Sequence, residues 1–192
     1  MFTLLYPIAL LQAAAPAGPD TQNSAPSNPA PSNPVSGNRV AGPCVQSDYA
    51  GFDFWVGEWD VFVTGGDIKT GVNYIEQVSG GCAIRETWVP LQGAGGTSLS
   101  FFNPRTSRWQ QSWIGGDGSR VDFEGGLVDG QMVLTGYWDD LGGPGKDALV
   151  RVTYARIDET HVRQVGEAST DHGVSWQPFF DLTYRPRKPE TP

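Results

Sequence analysis

Phe52-Asp53-Phe54-Trp55-Val56-Gly57-Glu58-Trp59-Asp60-Val61 is the densest apolar-aromatic cluster in the chain. A short helical turn is expected over 48–56, with Ser47 as its N-cap. From Trp59 the pattern changes. Trp59, Val61 and Val63 alternate with other residues, which is the period of a strand with one buried face. Trp55 and Trp59 are expected to plug the core, and Gly57 to let the chain turn tightly into the strand.

Outward from this cluster, the same short alternating runs recur to the end of the chain, separated by turn residues. Gly65-Gly66-Asp67 ends the first, and 72–78 forms a second, ended by Gly80-Gly81. Cys82, Ile84, Glu86 and Trp88 share one parity of a third. Runs follow at 98–102, 109–113, 121–127, 132–138, 148–157, 161–168 and 174–184. Asp129-Gly130 is a hairpin signal between two of them. About ten strands joined by tight turns favour an up-and-down order. An open sheet of that size would carry two aggregation-prone edges, and closure removes both. The expected fold is all-β, an up-and-down antiparallel barrel of about ten strands with a short N-terminal helical turn. A two-sheet sandwich is the alternative.

Composition supports this reading. Gly (25) and Pro (15) make up about a fifth of 192 residues, too many for helix interiors. With 7 Trp, 9 Phe and 6 Tyr, the chain has too much aromatic mass for disorder throughout. A net charge of -8 offers no basic stripe for nucleic acid. Residues 1–17, apolar and then small up to Ala15-Pro16-Ala17, read as a secretory signal peptide, although no Lys or Arg precedes Arg39. The stretch is too short to span a membrane, so no membrane insertion is expected. Residues 18–43 repeat Ala-Pro-Ser-Asn-Pro and read as an extended linker. The barrel domain is placed at 44–187, followed by a tail at 188–192. Cys44 and Cys82 are the only cysteines, and in an exported protein an even pair reads as a disulfide. The expected location is the periplasm or the extracellular medium.

Gly57-Glu58-Trp59 resembles the Gly-x-Trp signature of lipocalins and the wider calycin group. FDFWVGEWDV, GCAIRETW, WQQSW, VRQVGEASTDHGVSW and FFDLTYR together look like a family of small secreted bacterial proteins with a calycin-like barrel. The resemblance covers roughly 44–186. It implies that Trp59 stops the closed end of the barrel and that an Arg of the last strand, Arg185 or Arg187, packs across it. It supplies no substrate and no catalytic residues.

Strand parity gives the candidate ligand residues. Glu86 lies between Ile84 and Trp88, and Gln111 between Trp109 and Trp113. Arg151 shares a face with Thr153, and Arg163 with Val165 and Glu167. If those faces point inward, one chamber holds Glu86, Gln111, Arg151, Arg163 and Glu167, rimmed by Trp88, Trp109 and Trp113. Such a chamber would suit a small amphipathic or hydrophobic ligand carrying a carboxylate. The same pattern fits charges alternating outward as solvated faces with cross-strand Arg–Glu pairs. Two further classes remain open: an isomerase- or cyclase-type enzyme using Glu86 or Glu167, and a structural envelope protein with a packed lumen. No nucleophile elbow or phosphate loop is present. His161 and His172 lack metal-ligand spacing, so no metal or cofactor is expected; heme would need His161 to face inward. The sequence leaves the oligomeric state open.

Overall fold

The structure, a computed structural model, describes Cys44 and residues 47–188. The expected signal peptide, the linker and the last four residues lie outside the described residues. Ten strands alternate direction: β1 (Gly57–Val63), β2 (Lys69–Val78), β3 (Ala83–Pro90), β4 (Gly96–Asn103), β5 (Arg108–Gly115), β6 (Arg120–Val128), β7 (Gln131–Trp138), β8 (Ala148–Arg156), β9 (Val162–Ser169) and β10 (Gln177–Pro186). Each pairs antiparallel with its neighbours in sequence, and β1 pairs with β10, so the sheet closes on itself. The fold is the up-and-down barrel, and the sandwich is excluded.

The connections follow turn chemistry. Asp129 and Gly130, both with positive φ (50° and 78°), make the two-residue hairpin between β6 and β7. The region expected as one helical turn is two 3-10 turns, Ser47–Ala50 and Asp53–Trp55. They lie at the end of the barrel where β1 begins, which we call the base.

Alternation decides what goes inside. In β8, Ala148, Val150, Val152 and Tyr154 are buried, while Leu149, Arg151 and Thr153 between them are not. In β5, Trp109 and Gln111 are buried, and Arg108 and Ile114 are exposed. The base is packed solid with aromatic rings. Phe52 and Trp55, each 0% exposed, stack at 4.9 Å. Trp109 meets Phe52 edge-on at 5.7 Å, and Tyr154 meets it at 4.9 Å. Trp59 is buried and donates its indole N–H to the Trp55 carbonyl at 2.9 Å. Its ring lies across Gly57, where a Cβ would sit only 3.0 Å from the indole. The glycine of the Gly-x-Trp pair thus serves close packing of the tryptophan.

The Arg185 expectation is corrected. Trp59 pairs with Pro186 and Asp60 with Arg185. Arg185 therefore shares the outer face with Asp60, opposite to the face of Trp59. It packs over Phe62 at 4.1 Å and bonds Asp67 and the Gly66 carbonyl. Arg187 lies beside Tyr74. Tyr184 meets the Trp59 ring edge-on at 6.1 Å.

A disulfide joins Cys44 to Cys82. Cys82 sits in the turn between β2 and β3, at the base. The bond therefore ties the chain just before the 3-10 turns to the wall that they plug. Such a bond fits an oxidising compartment. No described helix is long and apolar enough to cross a membrane.

Candidate functional site

Above the base plug the barrel is hollow. A cavity of about 220 Å³ is lined by Asn73, Glu86, Gln111, Tyr154, Gln164 and Tyr184 at mid-height. Trp88, Trp113, Trp138 and Phe180 line it nearer the other end, the mouth. Trp88 and Trp113 each lie two residues before the end of their strand, and Trp138 ends β7. All three strands run from base to mouth, which brings the rings together there. These four aromatics are half-buried, which places the opening among them.

The wall is cut to receive the rings. A Cβ on Gly96 would overlap the Trp113 indole, and one on Gly166 would overlap the Phe180 ring. Gly96 pairs with Gly115 at the end of the Trp113 strand, and Gly166 pairs directly with Phe180. The aromatics therefore lie against neighbouring strand backbone, where a larger residue would push them into the lumen.

The mid-height polar groups form a closed belt of hydrogen bonds. Glu86 accepts from Asn73 Nδ2 at 2.7 Å and from the Ser98 hydroxyl at 2.6 Å. Asn73 also donates to the Tyr184 hydroxyl, which donates to Gln164 Oε1 at 2.6 Å. Gln164 Nε2 donates to the Tyr154 hydroxyl, which donates to Gln111 Oε1 at 3.4 Å. Gln111 Nε2 donates to the Ser98 and Ser100 hydroxyls, closing the ring back to Glu86. Seven strands contribute (β2, β3, β4, β5, β8, β9 and β10), so the belt also ties the barrel circumference together. Two buried atoms stand outside it: Asn73 Oδ1 has no partner, and the Trp55 indole N–H approaches Tyr184 without reaching hydrogen-bond geometry.

Glu86 sets the electrostatics. It is 6% exposed and is the one charged residue type among the buried described residues. No cationic side chain lines the cavity. Burial raises its carboxyl pKa above the ordinary value, against the lowering effect of the Asn73 and Ser98 donors. Burial and then the nearby Glu86 charge raise the pKa values of Tyr154 and Tyr184. Both phenols stay protonated across the physiological range.

The structure divides the sequence-predicted residues. Glu86, Trp88, Gln111 and Trp113 line the chamber. Trp109 is buried one step deeper, in the base plug. Arg151, Arg163 and Glu167 are corrected to the outer face. Arg151 pairs with Glu167 at 2.8 Å and stacks over Trp176, and Arg163 pairs with Asp181. The reason is parity: the apolar alternate face of β8 and the Val162-Gln164-Gly166 face of β9 take the inside. His161 bonds Asp158 at the loop before β9, away from the lumen. No group of three or more metal-ligating side chains exists among the described residues. Sequence reasoning missed Asn73, Ser98, Trp138, Tyr154, Gln164, Phe180 and Tyr184. Their signal was indirect: Ser98, Trp138, Gln164, Phe180 and Tyr184 share parity with residues that carry no charge, and on the faces of Asn73 and Tyr154 the charge, Lys69 or Arg156, stands at a strand end. The sequence matches no protein-family model and no curated protein.

Proposed function

We propose that this chain is an exported, lipocalin-like barrel that binds one small amphipathic or hydrophobic molecule in its lumen. The observation that carries the reading is the chamber itself, with an aromatic mouth, a polar belt and a sealed base. A packed structural barrel would have no reason to hold an unpaired carboxylic acid and an unsatisfied amide oxygen around an empty space. The disulfide and the apolar N-terminus support export. The likeness to secreted calycin-like proteins supports the same reading. The ligand is small: an apolar cavity of about 150 Å³ accepts benzene, and drug-sized pockets start near 300 Å³. A cavity of about 220 Å³ therefore suits a single aromatic ring with a short polar arm, and encloses only part of a retinoid or a long fatty acid. A carboxylate head is disfavoured as well, because the arginines that would have received it are on the outside.

Any acid–base chemistry in the chamber would fall to Glu86, since Glu167 is outside and paired with Arg151. Binding of ligand is the reading that the observations support without a reaction. Titration of the intrinsic tryptophan fluorescence with single-ring aromatic compounds tests it. Saturable quenching at one equivalent is expected for at least one of them. Quenching by none, with crystals that show side chains filling the lumen, would return the barrel to a structural role.

A further inference from the structure

We infer that the chamber selects a small arylalkyl amine in its protonated form, the ammonium seated on Glu86 and Asn73 Oδ1 and the ring held among Trp88, Trp113 and Trp138. This rests on the ligand-binding reading above and names the class of ligand.

The hydrogen-bond bookkeeping points to a donor. Both arms of the belt lead from the Asn73 amide to the Glu86 carboxyl, and each hydroxyl proton of Ser98, Tyr154 and Tyr184 is spent on a belt acceptor. Both amide hydrogens of Asn73 and of Gln111 are spent too. One amide hydrogen of Gln164, the Ser100 hydroxyl proton and the Trp55 indole N–H stay unspent, but beside Glu86 what is unused is acceptor capacity: Asn73 Oδ1 without a partner, and the further lone pairs of the Glu86 carboxyl. A carbonyl or carboxylate ligand would bring more acceptors to a belt that has few donors left. An ammonium brings three donors and no acceptor.

The charge argument agrees. Glu86 has no cation facing it inside the barrel. An anionic ligand would meet it at short range in a low-dielectric space, whereas a monocation would neutralise it. The indole faces attract cations through their quadrupole, more strongly than other aromatic side chains, and three of them ring the approach. The net charge of -8 favours the approach of cations at long range. Size agrees too, since a phenyl or indole ring with a two-carbon arm is what the chamber volume admits.

Binding and Glu86 ionisation are then coupled. Burial raises the Glu86 pKa, and an ammonium within bonding distance lowers it again. Tyr154 and Tyr184 are the other titratable groups facing Glu86, and both remain neutral below the alkaline range. Amine affinity should therefore rise as pH rises through the Glu86 pKa, until the amine itself loses its proton.

The experiment compares three probes of one shape on the full chain: phenethylamine, 2-phenylethanol and 3-phenylpropionate, followed by tryptophan quenching and calorimetry from pH 5 to pH 8. The amine is expected to bind at least tenfold more tightly than the alcohol at pH 8, and the carboxylate least. Amine affinity should fall toward pH 5 while alcohol affinity stays level. Glu86→Gln should bring amine and alcohol within threefold of each other and abolish the pH dependence. Alcohol or carboxylate binding as tightly as the amine would overturn the amine assignment and leave the ligand chamber standing. Saturable binding by none of the three would count against the chamber reading as well. Should Glu86→Gln fail to fold, the pH profile of the unaltered protein decides: amine affinity that is flat from pH 5 to pH 8 overturns the proposal.

Discussion

The two ends of this barrel are built from the same residue types and have opposite fates. At the base, Phe52, Trp55, Trp59 and Trp109 form a solid aromatic plug. At the mouth, Trp88, Trp113, Trp138 and Phe180 stand half-buried around a cavity. The difference is a piece of chain. The two 3-10 turns at 47–55 insert Phe52 and Trp55 between the strands at the base, and no described segment does so at the mouth. Aromatic content alone therefore does not distinguish core from site. What distinguishes them is whether a second element covers the rings.

Paired truncations test that contrast with the largest expected effects. Trp55→Ala removes a fully buried indole from the plug and should cost about 3–5 kcal/mol. Trp113→Ala removes a ring already in contact with solvent and should cost less than about 2 kcal/mol, while abolishing most ligand-dependent quenching. Chemical denaturation of both variants measures this. Equal losses of stability at the two ends would mean that the mouth is as much core as the base.

The disulfide ranks next. Cys44 and Cys82 are separated by 38 residues, and opening a loop of that length should cost roughly 3–4 kcal/mol in the chain-entropy account. Because the bond tethers the plug, the loss should appear at the base. Hydrogen exchange of the double Cys→Ser variant is expected to accelerate at Trp55 and Val56 before it accelerates at the belt. Uniform acceleration would show instead that plug and belt open as one unit.

How much of this was legible in the sequence depends on charge. The alternation in Glu58-Trp59-Asp60-Val61 and the shared parity of Trp109, Gln111 and Trp113 announce strands, and turn residues count them. Closure follows from the lack of any device to protect two edges. Parity is harder, because β8 alternates Val150-Val152-Tyr154 with Leu149-Arg151-Thr153, and either set can be imagined inside. The deciding cue is the cost of burying charge. Outward placement of Arg151, Arg163 and Glu167 brings Tyr154 and Gln164 inward with no further information. Glu86 is the exception that the rule misses. It shares its face with Ile84 and Trp88, and only the Asn73 and Ser98 donors on adjacent strands make its burial tolerable. The belt joins residues up to 111 positions apart, a pattern that no local reading displays.

The outer face supplies the smallest effect and the sharpest control on the mouth. Arg163 and Asp181 sit on adjacent strands, with side chains 45% and 40% exposed. Ion pairs in that setting contribute about 0–1 kcal/mol, since solvent screens them and two side chains lose freedom. Arg163→Ala should therefore shift stability by no more than that. The sign with pH is fixed: the Arg163 hydrogen bond holds the Asp181 carboxyl below its ordinary 3.8. The stabilisation is thus present at neutral pH and lost as pH falls through the folded-state pKa of Asp181. The variant and the parent should converge in acid. Ligand binding should be unchanged, because Arg163 points away from the chamber between Val162 and Gln164. A weakened ligand affinity in Arg163→Ala at unchanged stability would mean that the outer ion pair shapes the lumen through β9. Gln164 would be the link, since it is next in the chain and belongs to the belt.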